Sequence, residues 1–93
     1  MYKVIYSKRF RTSLKKLNRS GKKKDIIKLK ELIISLSLNE TLDTKYRDHN
    51  LSGNLDIYRE CHINADLLLI YYKNEGKKIL FLFDIGNHNG LFE

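Results

Sequence analysis

The sequence lacks the features that would place the protein in a membrane or in an oxidising compartment. No apolar run approaches the roughly 18 residues that suggest a membrane-spanning helix. The opening segment, MYKVIYSKRF, contains no apolar stretch of the kind found in secretory signals, so we expect no cleaved leader. The single cysteine, Cys61, has no partner for an internal disulfide. Together these absences predict a cytoplasmic protein without a membrane anchor.

Acidic residues are scarce relative to basic ones. Eighteen Lys and Arg residues outnumber eleven Asp and Glu residues, which gives a formal net charge of +7. On 93 residues, the length of one domain, this charge favours a polyanion or an acidic partner. A solvated basic surface that only aids solubility would show the same charge. The 42% of hydrophobic residues is enough for a folded core, and we predict a single domain over residues 1–93.

A strand and two helices are predicted in the first half of the chain. Residues 1–6 are rich in β-branched and aromatic side chains, which is typical of a short strand. Ser7 suits a helix N-cap, and apolar residues at helical spacing predict a helix over residues 8–18. A Ser-Gly break then separates it from a second helix over residues 22–38, so the two should form a hairpin. The predicted apolar stripe of the second helix consists of Ile26, Ile27, Leu29, Leu32, Ile33, Ile34 and Leu36.

Three strands are predicted in the second half, after a polar connection over residues 39–54. They cover residues 55–63, 67–73 and 78–85, and the last two are apolar on both faces, as in the middle of a sheet. The order β-α-α-β-β-β predicts an α+β fold. In this fold a helical hairpin packs on a largely antiparallel four-stranded sheet.

Histidines and acids cluster where the predicted strands end. His62 ends one strand and Asp66 begins the next, while the antiparallel return of the last strand brings His88 to the same edge. His49, in the preceding connection, could close the group. Imidazole titrates near pH 6.5 and can take or give a proton at neutral pH, and carboxylates orient it. Such a group beside a basic surface suits cleavage of RNA, whose own 2′-hydroxyl can be the nucleophile.

Zinc binding is a competing interpretation of the same residues, because His, Asp and Cys can all bind zinc. No C-x-x-C or H-E-x-x-H spacing is present, and alternation puts Cys61 on the strand face opposite His62. We therefore predict neither a metal nor another cofactor, and we expect Cys61 to be a small core residue. Phe92 could fill the core or stack on an unpaired base.

Three motifs together resemble the YafQ branch of the RelE/ParE superfamily of bacterial toxins. They are KYRDHxLxG at positions 45–53, YRECHxxxDLLLIY at positions 58–71 and GNHxxLF at positions 86–92. The resemblance implies a RelE-like fold and a toxin of a type II toxin–antitoxin system that cuts mRNA on the ribosome without a metal. It also implies an acidic antitoxin of the DinJ or RelB type as partner, with operator DNA bound only through that antitoxin.

The resemblance also implies roles for individual residues. His88 would be the main general acid or base, His49 and His62 would assist proton transfer and grip phosphate, and Asp66 would orient a histidine. Two supporting positions and two phosphate-binding candidates complete the predicted site: Glu60, Phe92, Arg47 and Arg59.

One position departs from the family pattern. The family usually has R-x-G-x-H in the last motif, where this chain has Asp84-Ile85-Gly86-Asn87-His88. An arginine there would stabilise charge developing on phosphorus, whereas Asp84 would repel it. Alternation predicts that Asp84 faces the site. The departure supports a second hypothesis, a toxin-fold module that binds its antitoxin or RNA with weak or no cleavage. A third hypothesis, gyrase inhibition as in the ParE branch, lacks support because that branch does not keep the histidines.

Overall fold

The computed structural model describes residues 1–87, in which two helices pack on a five-stranded sheet. The elements are β1 (Lys3–Tyr6), α1 (Lys8–Arg19), α2 (Lys23–Ser37), β2 (His49–Asn50), β3 (Arg59–His62), β4 (Leu68–Asn74) and β5 (Ile79–Gly86). The strand order is β1-β5-β4-β3-β2, with β1 parallel to β5 and all other neighbours antiparallel. The predicted α+β class, with a helical hairpin on a largely antiparallel sheet, is confirmed. No helix in residues 1–87 is long and apolar enough to cross a membrane.

The predicted count of four strands was one too few. The additional strand, β2, pairs with β3 so that His49 lies opposite Glu60 and Asn50 lies opposite Arg59. A strand of two residues shows no alternation in sequence, and it exists only because a neighbouring strand supplies its hydrogen bonds. The predicted strand over residues 55–63 is shorter than expected, because Gly53–Leu55 forms a 3-10 turn.

The start of α1 follows the sequence prediction. The Ser7 hydroxyl accepts the backbone N–H of Phe10 at 2.9 Å, which is the expected N-cap. The same hydroxyl donates to the carbonyl of Phe83 at 2.5 Å, so one residue both begins the helix and ties it to β5. Phe10 is fully buried, and Gly21 beyond the helix has a φ of +75°, where glycine is favoured.

The apolar stripe predicted for α2 was too wide. Leu29, Leu32 and Leu36 are buried, but the side chains of Ile27 and Ile34 are 58% and 57% exposed. At about 100° per residue, these two isoleucines lie on the side of the helix opposite the three leucines. One face of a single helix can be covered by the sheet, so α2 keeps a second apolar stripe in contact with solvent.

The sheet has an inner face toward the helices and an outer face on its other side. Residues that alternate along β3, β4 and β5 form the inner core: Cys61, Ile63, Leu69, Tyr71, Leu80, Leu82 and Ile85. On the outer face, strand pairing places Glu60 opposite Ile70 and Ile70 opposite Asp84. Since His49 lies opposite Glu60, one cross-strand row runs from β2 to β5 on the outer face. An irregularity in the β4–β5 register leaves Phe83 as the extra residue.

Candidate active site

Two imidazoles and one carboxylate form the centre of the candidate site. His49 Nε2 lies 3.6 Å from Glu60 Oε1, and His62 Nε2 lies 3.3 Å from the same oxygen. The two imidazole rings stack with centroids 6.2 Å apart. We call these three residues the histidine–glutamate cluster. Two predicted catalytic residues and the predicted supporting acid therefore meet, because β2 and β3 place residues 49 and 60 side by side.

The proton on one nitrogen of His49 is fixed by the backbone. His49 Nδ1 lies 2.5 Å from the carbonyl oxygen of Arg47, and a carbonyl oxygen can only accept. Nδ1 must therefore carry a hydrogen, so any proton that His49 exchanges during a reaction is on Nε2. Both Nε2 atoms approach Glu60, which is buried with only 5% of its surface exposed.

A hydrogen-bonded network beneath the cluster holds β2 in place. Tyr71 is buried in the core and donates its hydroxyl to Asp48 Oδ1 at 2.5 Å. Arg59 Nε donates to the same carboxylate at 3.2 Å, and its Nη1 donates to Asn50 Oδ1 at 2.6 Å. Both neighbours of His49 are thus tied to β3 and β4 through side chains. Because a two-residue edge strand has few backbone hydrogen bonds, this network supplies much of what positions His49.

Replacing Tyr71 with phenylalanine should disturb His49 without emptying the core. Burial and then the hydrogen bond to Asp48 raise the pKa of Tyr71, so its hydroxyl remains a donor at neutral pH. Losing this donor should lower the free energy of unfolding by about 1–2 kcal/mol. It should also let the His49 ring change its protonation pattern, which ¹⁵N chemical shifts of the ring nitrogens report.

Tyr72→Phe is the matched control for that change. It removes the same atom from the next residue of β4, whose hydroxyl makes no hydrogen bond within residues 1–87. This control should leave both stability and the His49 nitrogen shifts close to those of the original protein. If Tyr71→Phe lowered stability but left the His49 shifts unchanged, the network would support the fold and not position the histidine.

The two arginines predicted to bind phosphate differ in availability. Arg59 is engaged by Asp48, Asn50 and the Tyr71 hydroxyl, so its Nε and Nη1 already have partners. Arg47 is exposed beside the cluster, and its φ of 50° places its carbonyl for His49. Between the two, the geometry favours Arg47 for contact with a phosphate.

Asp66 lies apart from the cluster. It is exposed in the turn between β3 and β4, and within residues 1–87 no hydrogen bond or ion pair joins its carboxylate to either histidine. It lines an open depression of about 990 Å³ beside α1, together with Asp25, Asn64 and Asp84. The predicted site residues His88 and Phe92 lie outside the described residues.

The carboxylate of Asp84 is neutralised by α1. Arg9 Nε donates to Asp84 Oδ2 at 2.6 Å, and the Ser13 hydroxyl donates to Oδ1 at 2.6 Å. The backbone N–H of Ile85 donates to Oδ1 at 2.8 Å. The register irregularity at Phe83 places Asp84 in the outer-face row with Glu60, but its negative charge is paired and almost fully buried. Arg9 and Ser13 were not identified from the sequence, where they appear only as one basic and one polar residue of a helix.

Cys61 behaves as a core residue. It is fully buried on the inner face, and burial raises the pKa of its thiol to about 12. The thiol therefore remains protonated at neutral pH and is unsuited to nucleophilic attack. Cys61 is also absent from the group that could hold a metal. Among the described residues that group is His49, Glu60 and His62, with one ligand atom from each within 4.8 Å of the others. Pairing between β2 and β3 brings these ligand atoms together, so no short sequence spacing predicts this possible metal site.

In general class, this protein is a small basic α+β domain that carries an acid–base cluster at one edge of its sheet. Residues 2–93 match the family model described as YafQ, a bacterial toxin of type II toxin–antitoxin systems. The mRNA interferase toxin YafQ of Escherichia coli strain B is 35% identical over 91 residues, covering 96% of this chain and 94% of the relative. The chain belongs to the YafQ toxin family.

Solved structures agree with this assignment. A metal-bound toxin from Helicobacter pylori is 38% identical, with a TM-score of 0.91, and the match covers 99% of this chain and 100% of that one. The DinJ–YafQ complex of Escherichia coli contains a chain that is 32% identical, with a TM-score of 0.89 and 100% of both chains covered. The helical hairpin and the sheet therefore follow a fold known from toxins of this family.

Proposed function

We propose that this protein is the toxin of a type II toxin–antitoxin system and an endoribonuclease that cleaves mRNA on the ribosome. The observation that carries the proposal is the meeting of two imidazole Nε2 atoms at one buried carboxylate oxygen. The similarity to proteins named mRNA interferase toxin supports the choice of mRNA as substrate. A ribonuclease of this kind would act in the cytoplasm, where its substrate is.

The cluster can perform acid–base catalysis without a nucleophile from the protein. One imidazole Nε2 takes the proton of the RNA 2′-hydroxyl, and the 2′-oxygen then attacks the adjacent phosphorus. The bond from phosphorus to the 5′-oxygen breaks, a 2′,3′-cyclic phosphate forms, and a second imidazole gives the leaving 5′-oxygen its proton. Glu60 stabilises the imidazolium that the first transfer creates. The fixed proton on His49 Nδ1 leaves Nε2 as its only exchangeable position.

The remaining predicted residues have supporting roles in this proposal. His88 is the third imidazole and, by resemblance to the family, the principal acid or base. Phe92 positions a base, and Asp66 orients His88 from the β3–β4 turn. Arg47 contacts phosphate from its exposed position next to His49. Because Arg9 pairs with Asp84, the repulsion that favoured a purely binding module is offset, and cleavage is the better-supported function.

A cleavage assay on translating ribosomes tests the proposal. Purified protein should produce fragments that end in a 2′,3′-cyclic phosphate or a 3′-phosphate, and EDTA should not prevent their formation, because imidazoles supply the proton transfers. Mass spectrometry of the fragment ends identifies the product. Intact mRNA at saturating protein would favour the binding module, and activity lost in EDTA but restored by zinc would contradict the metal-independent mechanism.

Metal binding at the same cluster is a second candidate function. The ligand atoms of His49, Glu60 and His62 are close enough to share one ion, and a toxin from Helicobacter pylori was solved with metal bound. An ion there would occupy the nitrogens that must exchange protons. We therefore propose that added zinc inhibits cleavage and that EDTA reverses the inhibition.

The proposed protein partner is an acidic antitoxin of the DinJ or RelB type. The DinJ–YafQ complex shows that a relative assembles in this way. On this chain the exposed stripe of α2 suits such a partner, since Ile27, Ile34 and Leu38 are flanked by the exposed Lys23, Lys24 and Lys30. An amphipathic acidic segment could bury the apolar side chains and pair with the lysines. Operator DNA would be bound only through the antitoxin.

A further inference from the structure

Three partly exposed aromatic rings form a patch on the outer face of the sheet. The ring centroid of Tyr58 lies 4.8 Å from that of Phe83 and 6.3 Å from that of Tyr72. Alternation along β4 places Tyr72 on the face opposite the core residues Leu69 and Tyr71. We call Tyr58, Tyr72 and Phe83 the aromatic patch. These rings are absent from the inner core, although residues of their size are normally buried there.

A fixed cation lies over this patch. The guanidinium carbon of Arg9 is 5.3 Å from the centroid of the Phe83 ring, while its Nε is bound to Asp84. Asp84 is in turn held by Ser13 and by the N–H of Ile85, so the guanidinium is anchored on one side. The Arg9 side chain is 54% exposed, and within residues 1–87 its two terminal nitrogens have no hydrogen-bond partner. Arg9 thus presents donors to solvent in a fixed orientation.

The patch and the cation adjoin the histidine–glutamate cluster. Tyr58 directly precedes β3 and lies two residues before Glu60, so the two share a face about 7 Å apart where the backbone is extended. Asp84, which anchors Arg9, occupies the same cross-strand row as Glu60, with Ile70 between them. A strand of RNA held at the cluster would therefore bring a neighbouring nucleotide to the rings and to Arg9.

We propose that the aromatic patch and Arg9 bind an unpaired RNA nucleotide next to the bond that is cut. The inference rests on the proposed ribonuclease function and adds the residues that hold its substrate. A base stacks on the exposed part of the patch, and the free nitrogens of Arg9 bind a phosphate of the same strand. Stacking on aromatic rings combined with an arginine contact is how proteins hold single-stranded RNA without a sequence code. Asp84 is then a positioning residue, because it aims the arginine.

RNA that cannot be cleaved tests this site separately from catalysis. The probe is a short 2′-O-methyl RNA, in which the 2′-nucleophile is blocked, and fluorescence anisotropy measures its dissociation constant. Phe83→Leu should weaken binding about tenfold, because it keeps apolar bulk but removes the stacking surface. A set of oligonucleotides should also be measured, each with one abasic position at a different place in the strand. For one of them, Phe83→Leu should cause no further change in the dissociation constant.

Arg9→Gln tests the phosphate contact. It should weaken binding and reduce the slope of log affinity against log salt by about 0.7, the change expected for one phosphate contact on a single strand. Arg11→Gln is the matched control, with the same loss of charge on the exposed side of the same helix. Tyr6→Leu, an exposed aromatic outside the patch, is the control for the ring. Neither control should change the affinity more than about twofold.

Two outcomes would contradict the proposed RNA-binding site. Equal weakening of intact and every abasic RNA by Phe83→Leu would mean that the ring acts through the fold. Loss of antitoxin affinity with unchanged RNA affinity would make the patch a protein-docking surface. Failure of the proposed ribonuclease function would give a different result. The original protein would then bind the uncleavable RNA through the patch but leave mRNA on ribosomes intact.

Discussion

Replacing His62 with glutamine is expected to reduce the cleavage rate constant by about 10²- to 10⁴-fold, the contribution of a positioned general acid or base. Glutamine can retain a hydrogen bond to Glu60 but cannot gain or lose a proton near neutral pH. The half-buried imidazole lies 3.3 Å from Glu60 Oε1, so glutamine at this position tests the proton transfer while keeping a partner for the buried carboxylate. Fragment formation on translating ribosomes measures the rate, and growth after induction without antitoxin measures toxicity.

Controls separate this effect from unfolding. His62→Gln should keep a thermal unfolding midpoint near that of the original protein, since residue 62 belongs to the outer face and not to the inner core. His49→Gln should impair the rate similarly, because its Nε2 approaches the same carboxylate. A His62→Gln protein that cut mRNA as fast as the original would remove this histidine from the mechanism and leave His49 and His88 as the candidates.

Introducing the family's arginine at position 84 is expected to destabilise this protein. Asp84 is buried and accepts hydrogen bonds from Arg9, Ser13 and Ile85. Asp84→Arg would remove these acceptors and place a second positive charge next to the guanidinium of Arg9. Loss of a buried charged partner costs about 2–4 kcal/mol when the other partner can partly turn to solvent. For a domain of this size, the midpoint of thermal unfolding should fall by roughly 10–20 °C.

Two comparisons sharpen this second expectation. Asp84→Asn keeps the size and one acceptor but loses the charge, so its unfolding midpoint should lie between those of the original and Asp84→Arg. The double variant Arg9→Glu with Asp84→Arg restores an ion pair of reversed sign and should recover part of the loss. Unchanged stability of Asp84→Arg, together with faster cleavage, would show that position 84 is open to the substrate and that Arg9 does not replace the family arginine.

Local patterns predicted the helices and the central strands well. The Ser7 cap, the apolar spacing from Phe10 and the stop at Gly21 all depend on neighbours in sequence, and each is present in the structure. The same reasoning failed for Ile27 and Ile34, because hydrophobicity alone does not say which side of a helix the sheet will cover. It also missed β2, whose pairing partners in β3 lie 9 and 11 residues away along the chain.

Parts of the candidate site were visible in the residue types. The clustering of His49, Glu60 and His62 near predicted strand ends pointed to acid–base chemistry, and the structure brings these three together. The aromatic patch and the anchoring of Arg9 were not predictable, because they join residues from α1, β4 and β5 and the segment before β3. Their contacts depend on strand register and on the irregularity at Phe83, and neither leaves a periodic signal.

The sequence by itself determined the α+β class, the basic character and the acid–base residue set, because these depend on composition and on short-range periodicity. Only the tertiary structure decided which side chains contact the same atom. It set both imidazoles on Glu60, fixed the His49 proton through the Arg47 carbonyl and paired the unexpected Asp84 with Arg9. The physical reason is that strand pairing and the packing of α1 against β5 join residues up to 76 positions apart.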